Sequence, residues 1–133
     1  MPGRAADAWA ISNPPILSMT PLLAALGVFD SVTMARARAR SVRLTAYLEA
    51  LLADVATRVD LDVITPSSPE ARGCQLSVRV PRDPGGVVAT LRRDHGVVAD
   101  ARPPDVVRLA PTPLFSTHVD CLRAARGLEA ACR

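Results

Sequence analysis

The run Asp105-Val106-Val107-Arg108-Leu109-Ala110-Pro111-Thr112-Pro113-Leu114-Phe115 describes a short strand that two prolines bring to an end. Alternation places Val106 and Arg108 on one face and Val107 and Leu109 on the other. A proline has no N–H to give to a ladder, so pairing stops just past the arginine. A guanidinium among apolar residues is costly to bury unless an anion meets it. Its planar fork suits a carboxylate, which it can hold through two parallel hydrogen bonds. Two readings of Arg108 follow from these residues. It is an anchor for a carboxylate at the edge of a cleft, or it is a strand-edge arginine in solvent or in a surface ion pair.

The neighbouring segments supply a sheet around this strand. Leu61-Asp62-Val63-Ile64-Thr65 reads as a first strand closed by the turn cluster Pro66-Ser67-Ser68-Pro69. Residues 73–80 alternate cleanly and form a second, with Cys74, Leu76, Val78 and Val80 inward. An inward Cys74 is a small core residue rather than a nucleophile. Pro84-Gly85-Gly86 leads into a helix over 87–94, closed by His95 and Gly96, which gives His95 a capping role. Residues 97–100 form a third strand, Arg102-Pro103-Pro104 a turn, and 106–110 the fourth strand. Ser116 or Thr117 caps a last helix through Val119, Leu122, Ala125, Leu128 and Ala131. His118, in its first turn, is a weak candidate for a neutral imidazole facing a ligand.

Toward the N-terminus, residues 1–10 form a ragged lead-in. In Ile11-Ser12-Asn13-Pro14-Pro15-Ile16-Leu17 the double proline pushes Asn13 out of the helical region. Ser12 and Asn13 are then extended ahead of a helix, where they can meet an anion or ligand, or simply cap the helix. That leading helix covers 16–29, with Thr20-Pro21 an alternative start and Gly27 a weak spot. Asp30 is a good N-cap for a long helix over 31–57, whose inner face is Leu44, Leu48, Leu51, Leu52 and Val55. Arg36, Arg38, Arg40 and Arg43 point in different directions with no aromatics between them, so they read as a solvated surface. The order of elements implies an α+β domain: a small sheet of about four strands with helices packed on one face. Residues 11–133 then form one region, made of helix 16–29, helix 31–57 and an αβ portion over 60–133.

The bulk numbers set limits on function. The chain has 133 residues, 49% hydrophobic and 22% charged, enough for one globular core. No run has the length to span a bilayer, and the N-terminus lacks the apolar stretch of a signal peptide. Cys74, Cys121 and Cys132 have no metal-like spacing, so no metal site and a reducing, cytoplasmic setting are expected. All sixteen basic residues are arginines. Without a lysine no side chain can form a Schiff base, and lysine-dependent covalent catalysis cannot be completed within the chain. A net charge of +3 is too weak to imply nucleic acid. There is no Ser/His/Asp grouping, no Cys/His pairing and no glycine-rich phosphate loop, so no catalytic residue is assigned.

Five segments, taken together and in order, resemble the C-terminal part of kynureninase. They are 11–17, Ser41-Val42-Arg43-Leu44-Thr45-Ala46-Tyr47-Leu48-Glu49, Ile64-Thr65-Pro66, Arg72-Gly73-Cys74-Gln75-Leu76-Ser77, and Val107 to Leu114. The resemblance implies the C-terminal small domain of a fold-type-I pyridoxal-phosphate enzyme, usually a homodimer. That enzyme hydrolyses L-kynurenine to anthranilate and L-alanine in tryptophan catabolism, with the cofactor as electron sink. It also implies that Arg108 binds the substrate α-carboxylate, that Asn13 lies at the cofactor, and that Ser12 lies close to the substrate. The large domain, which in the family carries the cofactor-binding lysine and most phosphate ligands, has no counterpart here. Activity would then need a large-domain chain or homodimer mate as partner, and a split or truncated gene is the expected origin. A non-catalytic module docking on an intact kynureninase is the alternative. Where the family commonly has Tyr-Asn, this chain has Phe115-Ser116, so any contact from that hydroxyl is lost.

Overall fold

The computed structural model describes residues 12, 13 and 15–133. The expected lead-in over 1–10 lies outside the described residues. The chain divides into two compact units, Met1–Met34 and Ala35–Arg133.

In the first unit, helix α1 spans Ile16–Val32. Pro15 precedes it in extended conformation, and its carbonyl accepts the N–H groups of Ser18 and Met19, each at 3.0 Å. The helix therefore starts before Pro21 rather than at it. Pro21 cannot donate to the turn before it, and the Thr20 hydroxyl donates to the Ile16 carbonyl at 2.9 Å beside that gap. The expected stop at 29 and the Asp30 cap are not found. An aspartate inside a helix loses only a few tenths of a kcal/mol, about 0.7 at most, and nothing else at Asp30 turns the chain. The break comes at Thr33, whose φ of 66° lies in the left-handed region that β-branched residues rarely adopt. No residue of α1 is buried, although its sequence is largely apolar: Leu17 is 89% exposed and Leu23 74%.

Helix α2, Met34–Val55, is amphipathic and buries Leu44, Leu48, Leu52 and Val55 along one stripe. Four strands follow, β1 Asp62–Val63, β2 Leu76–Arg79, β3 Asp100–Arg102 and β4 Val106–Leu109. Helix α3, Pro84–His95, lies between β2 and β3 in sequence, and helix α4, His118–Cys132, closes the chain. The sheet is antiparallel throughout, in the order β1-β2-β4-β3. Leu76 pairs with Leu109 and Val78 with Val107, and all four are buried. They form one core with the inner faces of α2, α3 and α4. Ser77 pairs with Arg108 and Arg79 with Val106, on the side turned away from the helices. The α+β architecture, a small four-stranded sheet with helices on one face, is thus the one expected.

Several boundaries differ from the sequence reading. The first two strands are shorter than 61–65 and 73–80, and Cys74 is half-buried outside β2 rather than a core residue. The third strand begins where it was expected to end, because the short turn 103–105 sets its register on β4. Helix α3 starts at Pro84, since the Asp83 carboxylate accepts the Gly86 N–H at 2.7 Å and proline suits the first helical position. Its other end is as expected: Gly96 closes it with φ 64°. Thr117 and Asp120 form a reciprocal capping box at the start of α4. Among the described residues no single helix is long and apolar enough to cross a membrane.

Two predictions come from this packing. A Cβ at Gly127 would sit 2.9 Å from both His95 Cγ and Leu91 Cδ2. Gly127→Ala should therefore destabilise the domain by about 1–3 kcal/mol, the usual range for overpacking. A urea midpoint unchanged from wild type would show that α3 and α4 are not in that close contact. The bare apolar residues of α1 should also make the isolated chain self-associate and bind hydrophobic dye. Dilute sizing runs giving a clean monomer, with no dye bound, would contradict this.

Candidate functional site

The open face of the sheet is a set of charged rows fixed by strand register. Arg108 on β4 stands directly opposite Asp100 on β3 and Ser77 on β2. In the next row, Arg102 opposes Val106, and Arg79 pairs with Asp62. Arg79 reaches Asp62 at 3.4 Å and Asp105 at 3.3 Å. Both pairs are solvent-exposed, so each stabilises little by itself.

Arg108 is the least exposed of these arginines, with 30% of its side chain accessible. Its Nε donates to Asp100 Oδ2 at 2.6 Å, and its Nη2 donates to the same oxygen. Arg102 Nε also reaches that oxygen, at 3.0 Å. One carboxylate oxygen is therefore shared by two guanidinium groups. The Arg108 hydrogen bond holds the Asp100 carboxyl below the usual carboxylate range, and the nearby Arg102 charge adds to the effect. Arg108 is thus in an ion pair on the sheet surface, as one of the two sequence readings had it. That pair takes up only one edge of the guanidinium: Nη1 has no hydrogen-bond partner among the described residues. The two readings are compatible, because a guanidinium has five N–H donors.

Ser12 and Asn13 belong to the first unit, just ahead of α1, and both are exposed. The N-cap position of α1 is Pro15, which makes no side-chain cap hydrogen bond. Arg108 belongs to the second unit. His118 lies edge-on to Tyr47, with ring centroids 5.1 Å apart, so its neighbour is an aromatic ring of α2. His95 packs against Gly127 and has no catalytic neighbour. Arg38 and Arg40 donate to the carbonyls of Pro69 and Ser116. Burial pushes the thiols of Cys121 and Cys132 up, which keeps them protonated and unreactive.

A cleft of about 320 Å³ lies toward the helix layer and is lined by Val97, Val98, Leu109, Pro111, Phe115 and Arg123 among others. Arg108 is not part of its wall, and Asp120 at its edge is engaged in the α4 cap. Among the described residues no group of three or more His, Cys, Asp or Glu side chains could hold a metal ion. The residue missed by sequence reasoning is Asp100. Its signal was the hairpin: a turn over 103–105 makes Arg102 face Val106, and two residues further Asp100 faces Arg108.

Residues 37–128 match the family model described as the kynureninase C-terminal domain. The chain belongs to the kynureninase C-terminal domain family. A kynureninase from Salinispora tropica is 55% identical over 130 residues, 97% of this chain and 30% of that protein. Kynureninases from Stenotrophomonas maltophilia and Xanthomonas campestris are 43% and 42% identical over 131 residues, again 97% of this chain and 31% of theirs. The chain thus spans about 30% of the length of the kynureninases it matches. A kynureninase C-terminal domain built this way presents an arginine on an open sheet, with no lysine anywhere in the chain.

Acid should weaken this domain in a defined window. Asp100, Asp120 and Glu129 all titrate below their ordinary values, through hydrogen bonds from Arg108, Thr117 and Arg58 respectively. A depressed folded-state value contributes stability above the unfolded-state value and loses it as pH falls through the folded one. The urea midpoint should therefore be level above about pH 5 and drop steadily below about pH 4, where unfolded carboxylates titrate. A midpoint unchanged down to pH 3 would contradict these pairings.

Proposed function

We propose that this chain serves as the substrate-anchoring portion of a kynureninase, acting in the hydrolysis of L-kynurenine to anthranilate and L-alanine in the cytoplasm. Arg108 holds the substrate α-carboxylate, Ser12 lies near the substrate, and Asn13 lies at the cofactor. The observation that carries the reading is Arg108 itself: a partly covered guanidinium with one edge clamped and no partner for Nη1 among the described residues.

Pyridoxal phosphate does not fit this chain as its sole holder. The cofactor needs an amine for covalent attachment and donors around a dianionic phosphate. No lysine is present, and the sequence has no glycine-rich phosphate loop. The lysine and the phosphate cradle would come from a large domain outside these 133 residues. What this chain does is bind and orient: its arginine fixes one end of the substrate so that the reacting carbon is presented to groups held elsewhere. The absence of lysine also favours a second reading, a non-catalytic module that docks on an intact kynureninase.

The test is reconstitution with pyridoxal phosphate, L-kynurenine and a lysine-bearing large-domain chain. Cofactor absorbance changes and anthranilate fluorescence should appear in the mixture and not with this chain alone. Silence in the mixture would leave the docking reading, and activity from this chain alone would refute the lysine argument. In an active mixture, Arg108→Ala should weaken kynurenine binding by about 2–5 kcal/mol, the scale for removing one partner of a buried charge pair. A loss below about tenfold would make Arg108 a bystander.

A further inference from the structure

We propose that Asp100 is the positioning residue of the carboxylate anchor, clamping the Nε–Nη2 edge of Arg108 so that the Nη1–Nη2 end of its fork receives the substrate carboxylate end-on. The inference rests on the proposed role of Arg108.

A guanidinium has a side edge, formed by Nε–H and one N–H of Nη2, and an end, formed by the other N–H of Nη2 and one of Nη1. Asp100 Oδ2 accepts from both Nε and Nη2, so it occupies the side edge alone. The end retains one donor on each Nη atom, the pair a carboxylate can take in two parallel bonds. Binding there does not require Asp100 to leave. The clamp is built into the backbone, because Asp100 and Arg108 are paired residues of adjacent strands. On the other flank stands Ser77, also a paired residue, so Arg108 sits between a carboxylate and a short side chain that does not crowd it.

The charges are consistent with this role. One aspartate lies against two guanidinium groups, Arg108 and Arg102, so the cluster keeps a net positive charge with Asp100 in place. An aspartate that merely neutralised Arg108 would remove its attraction for an anion. With Arg102 on the same oxygen, Asp100 fixes direction while the site stays cationic. An arginine held in one orientation loses less freedom when its ligand arrives.

The first test reads the chain itself. In ¹H–¹⁵N spectra the Arg108 Nε–H should give a distinct, exchange-protected signal, identified by its loss in Arg108→Ala. In Asp100→Asn, with the backbone spectrum otherwise intact, that signal should move into the exposed-arginine envelope and exchange at least tenfold faster; Asp100→Glu should recover part of the protection. An Arg108 signal unaltered by Asp100→Asn would overturn the clamp, and this arm decides the matter whether or not hydrolysis is reconstituted. In the active mixture, Asp100→Asn should raise KM for L-kynurenine about tenfold with kcat changed less than threefold. If Arg108→Ala raises KM and Asp100→Asn does not, the positioning role fails alone. If Arg108→Ala leaves KM unchanged, the reading of Arg108 as the anchor fails first.

Discussion

A strand turns successive side chains to opposite faces, and a sheet covered on one side only has to keep its charges on the other. Here that constraint acts through Leu76, Val78, Val107 and Leu109, which are buried against α2, α3 and α4. A slip of one residue along β4 would carry Arg108 into that layer and put Val107 and Leu109 in water. The core therefore fixes which way the arginine faces. It also fixes its partners, since the same register brings Asp100 and Ser77 alongside. The arrangement of charge on the open face is a consequence of apolar packing on the closed one.

The helices reinforce that register from several directions. Arg58 of the segment after α2 bonds Glu129 of α4 at 2.9 Å, and Gly127 lets α4 approach α3 closely enough to touch Leu91 and His95. Thr117 and Asp120 set where α4 begins, which in turn fixes how the Pro111–Ser116 segment leaves the sheet. The stiff Ala110-Pro111-Thr112-Pro113 exit and the capped helix hold β4 at its C-terminal end. A short strand of four residues is in this way kept in one register by elements on both sides of it.

Much of this was legible in the sequence because its signals were local. Alternation in 76–79 and 106–109, the heptad-like leucines of α2, and Gly96 after α3 each act within a few residues, and each element was found. The break between the first two helices was not legible: it depends on one threonine adopting φ 66°, which no local pattern announces. Asp83 was overlooked as a cap because the Pro-Gly-Gly after it reads as a loop, whereas the proline starts the helix. In the site, Arg108 stood out as a charge among apolar residues. Asp100 did not, since its importance comes from pairing across a hairpin rather than from its own neighbours. Ser12 and Asn13 were singled out through the resemblance and the double proline, and both are exposed ahead of α1.

Membership in the kynureninase C-terminal domain family, over about 30% of the length of the matching enzymes, gives this surface its context. The central claim is that Arg108 recognises the α-carboxylate of an amino-acid substrate. The most direct measurement compares L-kynurenine with the corresponding amine lacking the carboxylate, as competing ligands of the reconstituted enzyme, in wild type and Arg108→Ala. The account predicts a strong wild-type preference for the carboxylate-bearing ligand that largely disappears in the variant. A preference of the same size in both proteins would place carboxylate recognition elsewhere and contradict it.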